Sequence, residues 1–145
     1  MASPLDALIL QLLTVIHSLS GLPVPERPPQ VAFVPHSYLE EQVCKRPCDI
    51  EGWFPPGDTV YLVDTLDPTN DLWARGILLH ELVHYVQQEE GSFGAPADCD
   101  AWLEREREAY DIQIRWLVEQ RAASRLLRRI SWPYLQISCQ DEGTG

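Results

Sequence analysis

Leu79-His80-Glu81-Leu82-Val83-His84-Tyr85 sets two histidines four residues apart, with a glutamate directly after the first. On a helix, residues four apart stand one turn above each other. Both imidazoles can then reach one cation while the intervening carboxylate points beside it. For a chain of this length, a chance H-E-x-x-H match is expected at roughly a few in a thousand, so the spacing carries weight. Trp73, Ile77, Leu78, Leu79, Leu82, Val83 and Val86 make the helix apolar nearly all round, which predicts burial. An unpaired buried carboxylate costs on the order of several kcal/mol, so a metal is the economical partner for this group. The alternative is two satisfied core histidines beside an ion-paired glutamate.

A catalytic zinc takes three protein ligands and keeps one position open. His17 and His36 lie far upstream and are open as the third. The tract Leu103-Glu104-Arg105-Glu106-Arg107-Glu108-Ala109-Tyr110 offers three glutamates. At about 100° per residue, Glu106 lies in the middle of a face shared with Trp102, Leu103, Ala109, Tyr110, Gln113, Trp116 and Leu117. Glu104 and Glu108 fall on the opposite side. Glu106 is therefore the expected third ligand, against the alternative that all three glutamates pair with Arg105, Arg107 and other arginines along a solvated helix.

Around these two helices, the 145 residues read as one domain, long enough to bury a core without a metal or disulfide. Leu5, Leu8, Ile9, Leu12, Val15, Ile16 and Leu19 follow helical spacing and predict an amphipathic helix over residues 1–20, stopped by Gly21 and the prolines after it. Residues 31–63 predict a small sheet with a cysteine loop. Val31–Val34 is β-prone, Ser37 to Val43 is a short helix, and Trp53-Phe54, the turn Pro55-Pro56-Gly57-Asp58 and Thr59–Val63 form a hairpin. Asp67-Pro68-Thr69-Asn70-Asp71 supplies capping chemistry for the H-E-x-x-H helix over 69–89. One long third-ligand helix is expected over 98–130, ended by the Pro133 region. The predicted fold class is α+β: a small antiparallel or mixed sheet packed on the buried H-E-x-x-H helix and the long helix.

H-E-L-V-H at 80–84, followed by E-x-x-A at Glu106 and Ala109, resembles the gluzincin arrangement of zinc metallopeptidases, a minimal zincin-like fold. The chain is also similar to small bacterial H-E-x-x-H domains carrying an E-x-E-A-Y tract. The resemblance covers the central half of the chain. It implies Zn²⁺ held by His80, His84 and Glu106, with Glu81 as general base in the hydrolysis of a peptide or related amide bond. It also implies that the strand before the zinc helix, for which Thr59 to Val63 is the candidate, pairs with an extended peptide or protein substrate, the alternative being that this strand only completes the sheet. Tyr110 stands where many such families have an aspartate that orients a ligand histidine, which leaves the residue behind the histidines open. Tyr110, with Tyr85 and Tyr61 behind it, is a candidate hydrogen-bond donor to the oxyanion, against the commoner alternative of core tyrosines with satisfied hydroxyls. The competing function is a non-catalytic zinc-binding or regulatory module that keeps the site.

Net charge is −11, from 11 basic and 22 acidic residues, and such a field disfavours nucleic acid and anionic membranes as partners. Arg121, Arg125, Arg128 and Arg129 read as a solvated helix face rather than an anion patch. No stretch is long and apolar enough to span a bilayer. Cys44, Cys48, Cys99 and Cys139 are compatible with two disulfides, pairing Cys44 with Cys48 and Cys99 with Cys139, with free thiols or a metal site as the rivals. If a leader preceded this sequence, an exported or periplasmic location is favoured over the cytoplasm. Oligomeric state is open.

Overall fold

The computed structural model describes residues 3–91 and 99–136. Helix α1, Pro4–Ser20, starts at a capping box in which Ser3 Oγ accepts from Asp6 N and Asp6 Oδ2 accepts from Ser3 N. It ends at Gly21, whose φ of 79° suits a residue without a side chain. Leu8, Ile9, Leu12, Leu13 and Ile16 bury the expected face.

The sheet has three strands in the order β1–β3–β2. Strand β1 (Gln30–Val34) runs parallel to β3 (Thr59–Val63) along its whole length, from Gln30 opposite Thr59 to Val34 opposite Val63. Strand β2 (Gly52–Trp53) is the antiparallel arm of the expected hairpin. Gln88 ties the hairpin loop to the end of the next long helix, accepting from Gly57 N at 2.8 Å and donating to Gly57 O at 2.6 Å. Between β1 and β2, helix α2 (His36–Leu39) widens into a π turn over Glu40–Cys44. A Cys44–Cys48 disulfide closes the loop that follows. Cys99 is not a free thiol either, and its expected bond to Cys139 lies outside the described residues.

Helix α3, Leu72–Glu90, begins three residues later than the sequence suggested, because Asp67, Thr69 and Asn70 bond one another in a turn and Asp71 is the cap, accepting from Ala74 N at 2.9 Å. It ends at Gly91 with φ 77°. Leu78, Leu79, Leu82, Val83 and Val86 are buried between α1, β3 and helix α4, Cys99–Glu119.

The single helix expected over 98–130 is two. After Glu119 the chain turns at Arg121, φ 55°, where Ala122 N donates to Leu117 O at 3.0 Å, and α5 runs over Ser124–Gln136. The turn brings Ile130 into the core and Leu126 and Leu127 against it. Burial of these side chains, not a glycine or proline at the corner, breaks the helix there. Pro133 does not end α5, which continues to Gln136. A second, smaller cluster, Leu39, Ile50 and Val63 with Tyr38, Trp53 and Tyr61 against it, joins the cysteine loop to the sheet.

Candidate metal centre

The helices α3 and α4 pack together so that His80, His84 and Glu106 converge, with one donor atom from each lying within 4.8 Å of the others. His80 and Glu106 are 4% exposed, and the His84 ring sits nearly as deep. The two Nε2 atoms stand 3.3 Å apart. Glu106 Oε1 is 3.3 Å from His80 Nε2, and Oε2 is 2.6 Å from His84 Nε2. Donors held tetrahedrally at about 2.0–2.1 Å from one ion are about 3.3 Å apart, so the cluster can close on a small divalent cation with little movement. Glu106 is buried as expected, not solvated. His17 and His36 are not part of the cluster: His17 Nδ1 lies 2.8 Å from Leu22 O, and His36 pairs with Glu40 at 3.3 Å.

Behind the ligands stand two glutamines. Gln87 Nε2 donates to Arg105 O at 3.0 Å and to Glu108 Oε1 at 2.9 Å, which turns Gln87 Oε1 to face His84 Nδ1 at 2.9 Å. His84 therefore carries a proton on Nδ1 and aims Nε2 at the centre. Gln113 Oε1 sits 2.9 Å from His80 Nδ1 in the same relation. Gln113 lies seven residues after Glu106, two helical turns along the same face. The sequence showed it only as a polar residue on an apolar face. Gly76 packs against the Gln113 amide, where a Cβ would stand 3.4 Å from Nε2, at ordinary contact distance. Gln113 thus fills the position left open by Tyr110, whose ring packs on His80 at 4.5 Å between centroids.

Glu81, 3% exposed, stands beside these donors, and its Oε1 has no hydrogen-bond partner among the described residues. Gly52 of β2 backs it so closely that a Cβ would lie 3.0 Å from Glu81 Cγ. Burial pushes the Glu81 carboxyl up to about 7, against the pull of His80 and His84 and with some help from Glu106. Burial pushes Glu106 the same way, but the His84 charge and hydrogen bonds from both histidines overcome it and hold Glu106 down to about 2. Burial alone would lower His84, whereas the Glu106 charge raises it to about 9.

A cavity of about 770 Å³ reaches this group, lined at its inner end by His80, Glu81, Tyr110 and Gln113. Of the other tyrosines considered, Tyr85 donates to Arg27 O at 2.7 Å and Tyr61 packs between Tyr38 and Trp53, so neither offers its hydroxyl here. The strand expected to pair with substrate does not have a free edge either: β3 is the central strand, bonded to β1 along one side and to β2 on the other. Among the described residues no helix is long and apolar enough to cross a membrane. The Cys44–Cys48 bond fits a non-reducing compartment. A family described as "Domain of unknown function (DUF6647)" matches residues 1–142. No curated protein and no solved structure matches the chain.

Proposed function

The chain belongs to the DUF6647 family, and we propose that it is a zinc-dependent hydrolase, a metallopeptidase that cleaves peptide or related amide bonds. The observation that carries this reading is Glu81: a buried carboxylate with an unpartnered oxygen, at the inner end of a cavity and beside three converging metal donors. A donor set of two imidazoles and one carboxylate is that of catalytic zinc sites. When bound, zinc supplies Lewis acidity, lowering the pKa of water toward about 7 and polarising a carbonyl.

The residues of the chain do the rest. His80, His84 and Glu106 hold the ion, and Gln113 and Gln87 hold the imidazoles in the ligating tautomer. Glu81, buried beside the donors, takes a proton from the attacking water and returns it to the leaving amine. Tyr110, at the cavity wall against His80, is the candidate donor to the developing oxyanion. Strand β2 replaces β3 as the edge for an extended substrate. Val63 N donates to Glu51 O at 2.9 Å, so the alternation of an antiparallel ladder turns the N–H and C=O of Gly52, the next residue, away from β3. Those groups lie on the outer side of the sheet, where the buried Gly52 lines the cavity beside Glu81, suited to main-chain pairing.

The test is metal analysis and turnover of a peptide library by the full chain, with chelation and zinc restoration. Glu81→Gln is expected to keep one zinc per chain and lose activity by about a hundredfold or more, whereas His80→Ala and Glu106→Ala lose the metal. A fully active Glu81→Gln protein would defeat the mechanism. Zinc bound with no turnover of any peptide would make the chain a non-catalytic metal-binding module instead.

A further inference from the structure

The outer part of the cavity that reaches Glu81 is lined by three more carboxylates, Asp49, Glu51 and Asp64. Among the described residues Arg129 is the one arginine or lysine that lines it, and it is already engaged: its guanidinium lies 3.8 Å from the centre of the Trp73 ring and donates to Glu51 Oε1 at 3.2 Å. His36, also on the rim, is paired with Glu40. Asp49 and Asp64 are exposed, and among the described residues neither makes an ion pair. The lining also includes the apolar side chains of Ile50, Ile77 and Trp73, all less exposed than the two aspartates, and at its buried end the unpartnered Glu81 Oε1.

We propose that this cavity binds a lysine or arginine side chain of a peptide substrate next to the bond to be cleaved, the methylene stem along the apolar wall and the cationic head at Asp49 and Asp64. The proposal names the substrate class of the site above and rests on that reading of it. A long cationic side chain combines the two properties that the cavity offers in sequence, an apolar run and then unneutralised carboxylates. A protein of net charge −11 also draws cationic peptides toward itself before any contact forms. An anionic side chain in the same place would meet two carboxylates and, among the described residues, no free arginine or lysine.

Binding separates this proposal from the chemistry. The zinc-loaded Glu81→Gln chain is titrated with alanine-based peptides, acetylated and amidated at their ends, that differ only in a central lysine, arginine, norleucine or glutamate. The lysine and arginine peptides are expected to bind about tenfold more tightly than the norleucine peptide, as one screened charge contact allows, and the glutamate peptide most weakly. The preference should shrink in about 1 M salt, where the screening length is about 3 Å. It should vanish in Asp49→Asn/Asp64→Asn and survive in Glu119→Gln, an exposed carboxylate that does not line the cavity. Equal binding of lysine and norleucine peptides, a preference that survives the double substitution, or one that appears only when the peptide has a free amino terminus overturns the proposal. A basic preference in binding without turnover by the unsubstituted chain would sink the hydrolase reading and leave the binding proposal standing. Indifferent binding and cleavage of all four peptides would do the reverse.

Discussion

His80 and His84 each direct Nδ1 to a glutamine oxygen at 2.9 Å. A neutral amide sets the tautomer of the ring without adding a negative charge behind it, as a carboxylate would. The site with its ion would then stay net cationic, with two neutral imidazoles and one carboxylate, which favours ionised water over neutral water at the centre. Gln87 is the more firmly held of the two, since both hydrogens of its amide are used by Arg105 O and Glu108. Gln87→Leu and Gln113→Leu are nearly volume-conserving, so they test orientation rather than packing. Each is expected to weaken zinc affinity about 10–100-fold in competition with a chelator. Unchanged affinity in both would show that the rings are oriented by packing alone.

At the scale of elements, the short strand β2 matters through a residue that has no side chain. Gly52 lies against Glu81 and Ile77 so closely that a methyl group must displace one of them, its Cβ falling 3.0 Å from Glu81 Cγ and 3.0 Å from Ile77 Cγ2. Gly52→Ala is expected to cost about 1–3 kcal/mol of stability, and to reduce turnover while zinc content stays the same, because the base moves and the ligands do not. Normal turnover would mean that Glu81 needs no backing from β2. The corner between α4 and α5 carries a different strain. Arg121 occupies the left-handed region at φ 55°, which costs a residue with a side chain about 1–2 kcal/mol. Arg121→Gly should therefore raise the unfolding free energy by about 0.5–1 kcal/mol after the extra chain entropy of glycine is subtracted, measurable by denaturant titration. A loss of stability instead would show that the arginine side chain holds the corner.

For the whole molecule, the buried charges link metal binding, stability and pH. Without metal, Glu106 is lowered from 4.5 to about 2, so its contribution to stability is present above about pH 4.5 and is lost as pH falls toward 2. His84 is raised from 6.5 to about 9, so its contribution is complete below about pH 6.5 and is lost as pH rises through 9. The metal-free chain should therefore gain most from this pair between about pH 4.5 and 6.5. Ligation requires His84 to give up its proton, so zinc affinity should climb about tenfold per pH unit below about pH 7, and more steeply from there until about 9 as bound water also ionises. Calorimetry at about pH 6, below the ionisation of zinc-bound water near about 7, in two buffers of different ionisation enthalpy should count about one proton released per zinc. No proton release would show that His84 is already neutral without metal and that the ion pair with Glu106 is absent.

Much of the site was legible in the chain because a helix repeats every 3.6 residues. His80 and His84 share a face by their spacing alone, and Glu106 separates from the exposed Glu104 by its place on the apolar side of α4, whereas Glu108, expected among exposed charges, is half-buried and accepts from Gln87 of α3. The capping chemistry that ends at Asp71 and the stop at Gly21 are local as well. What was not local could not be read in this way. The bonds from His80 to Gln113 and from His84 to Gln87 needed α3 and α4 in contact or a particular rotamer. The central position of β3 depends on a parallel partner nearly thirty residues earlier in the chain. The corner at Arg121 has no glycine or proline to announce it and exists because folding α5 back buries Ile130. Short-range periodicity is written residue by residue, whereas strand order and helix breaks of this kind follow from which apolar surfaces meet across the folded chain.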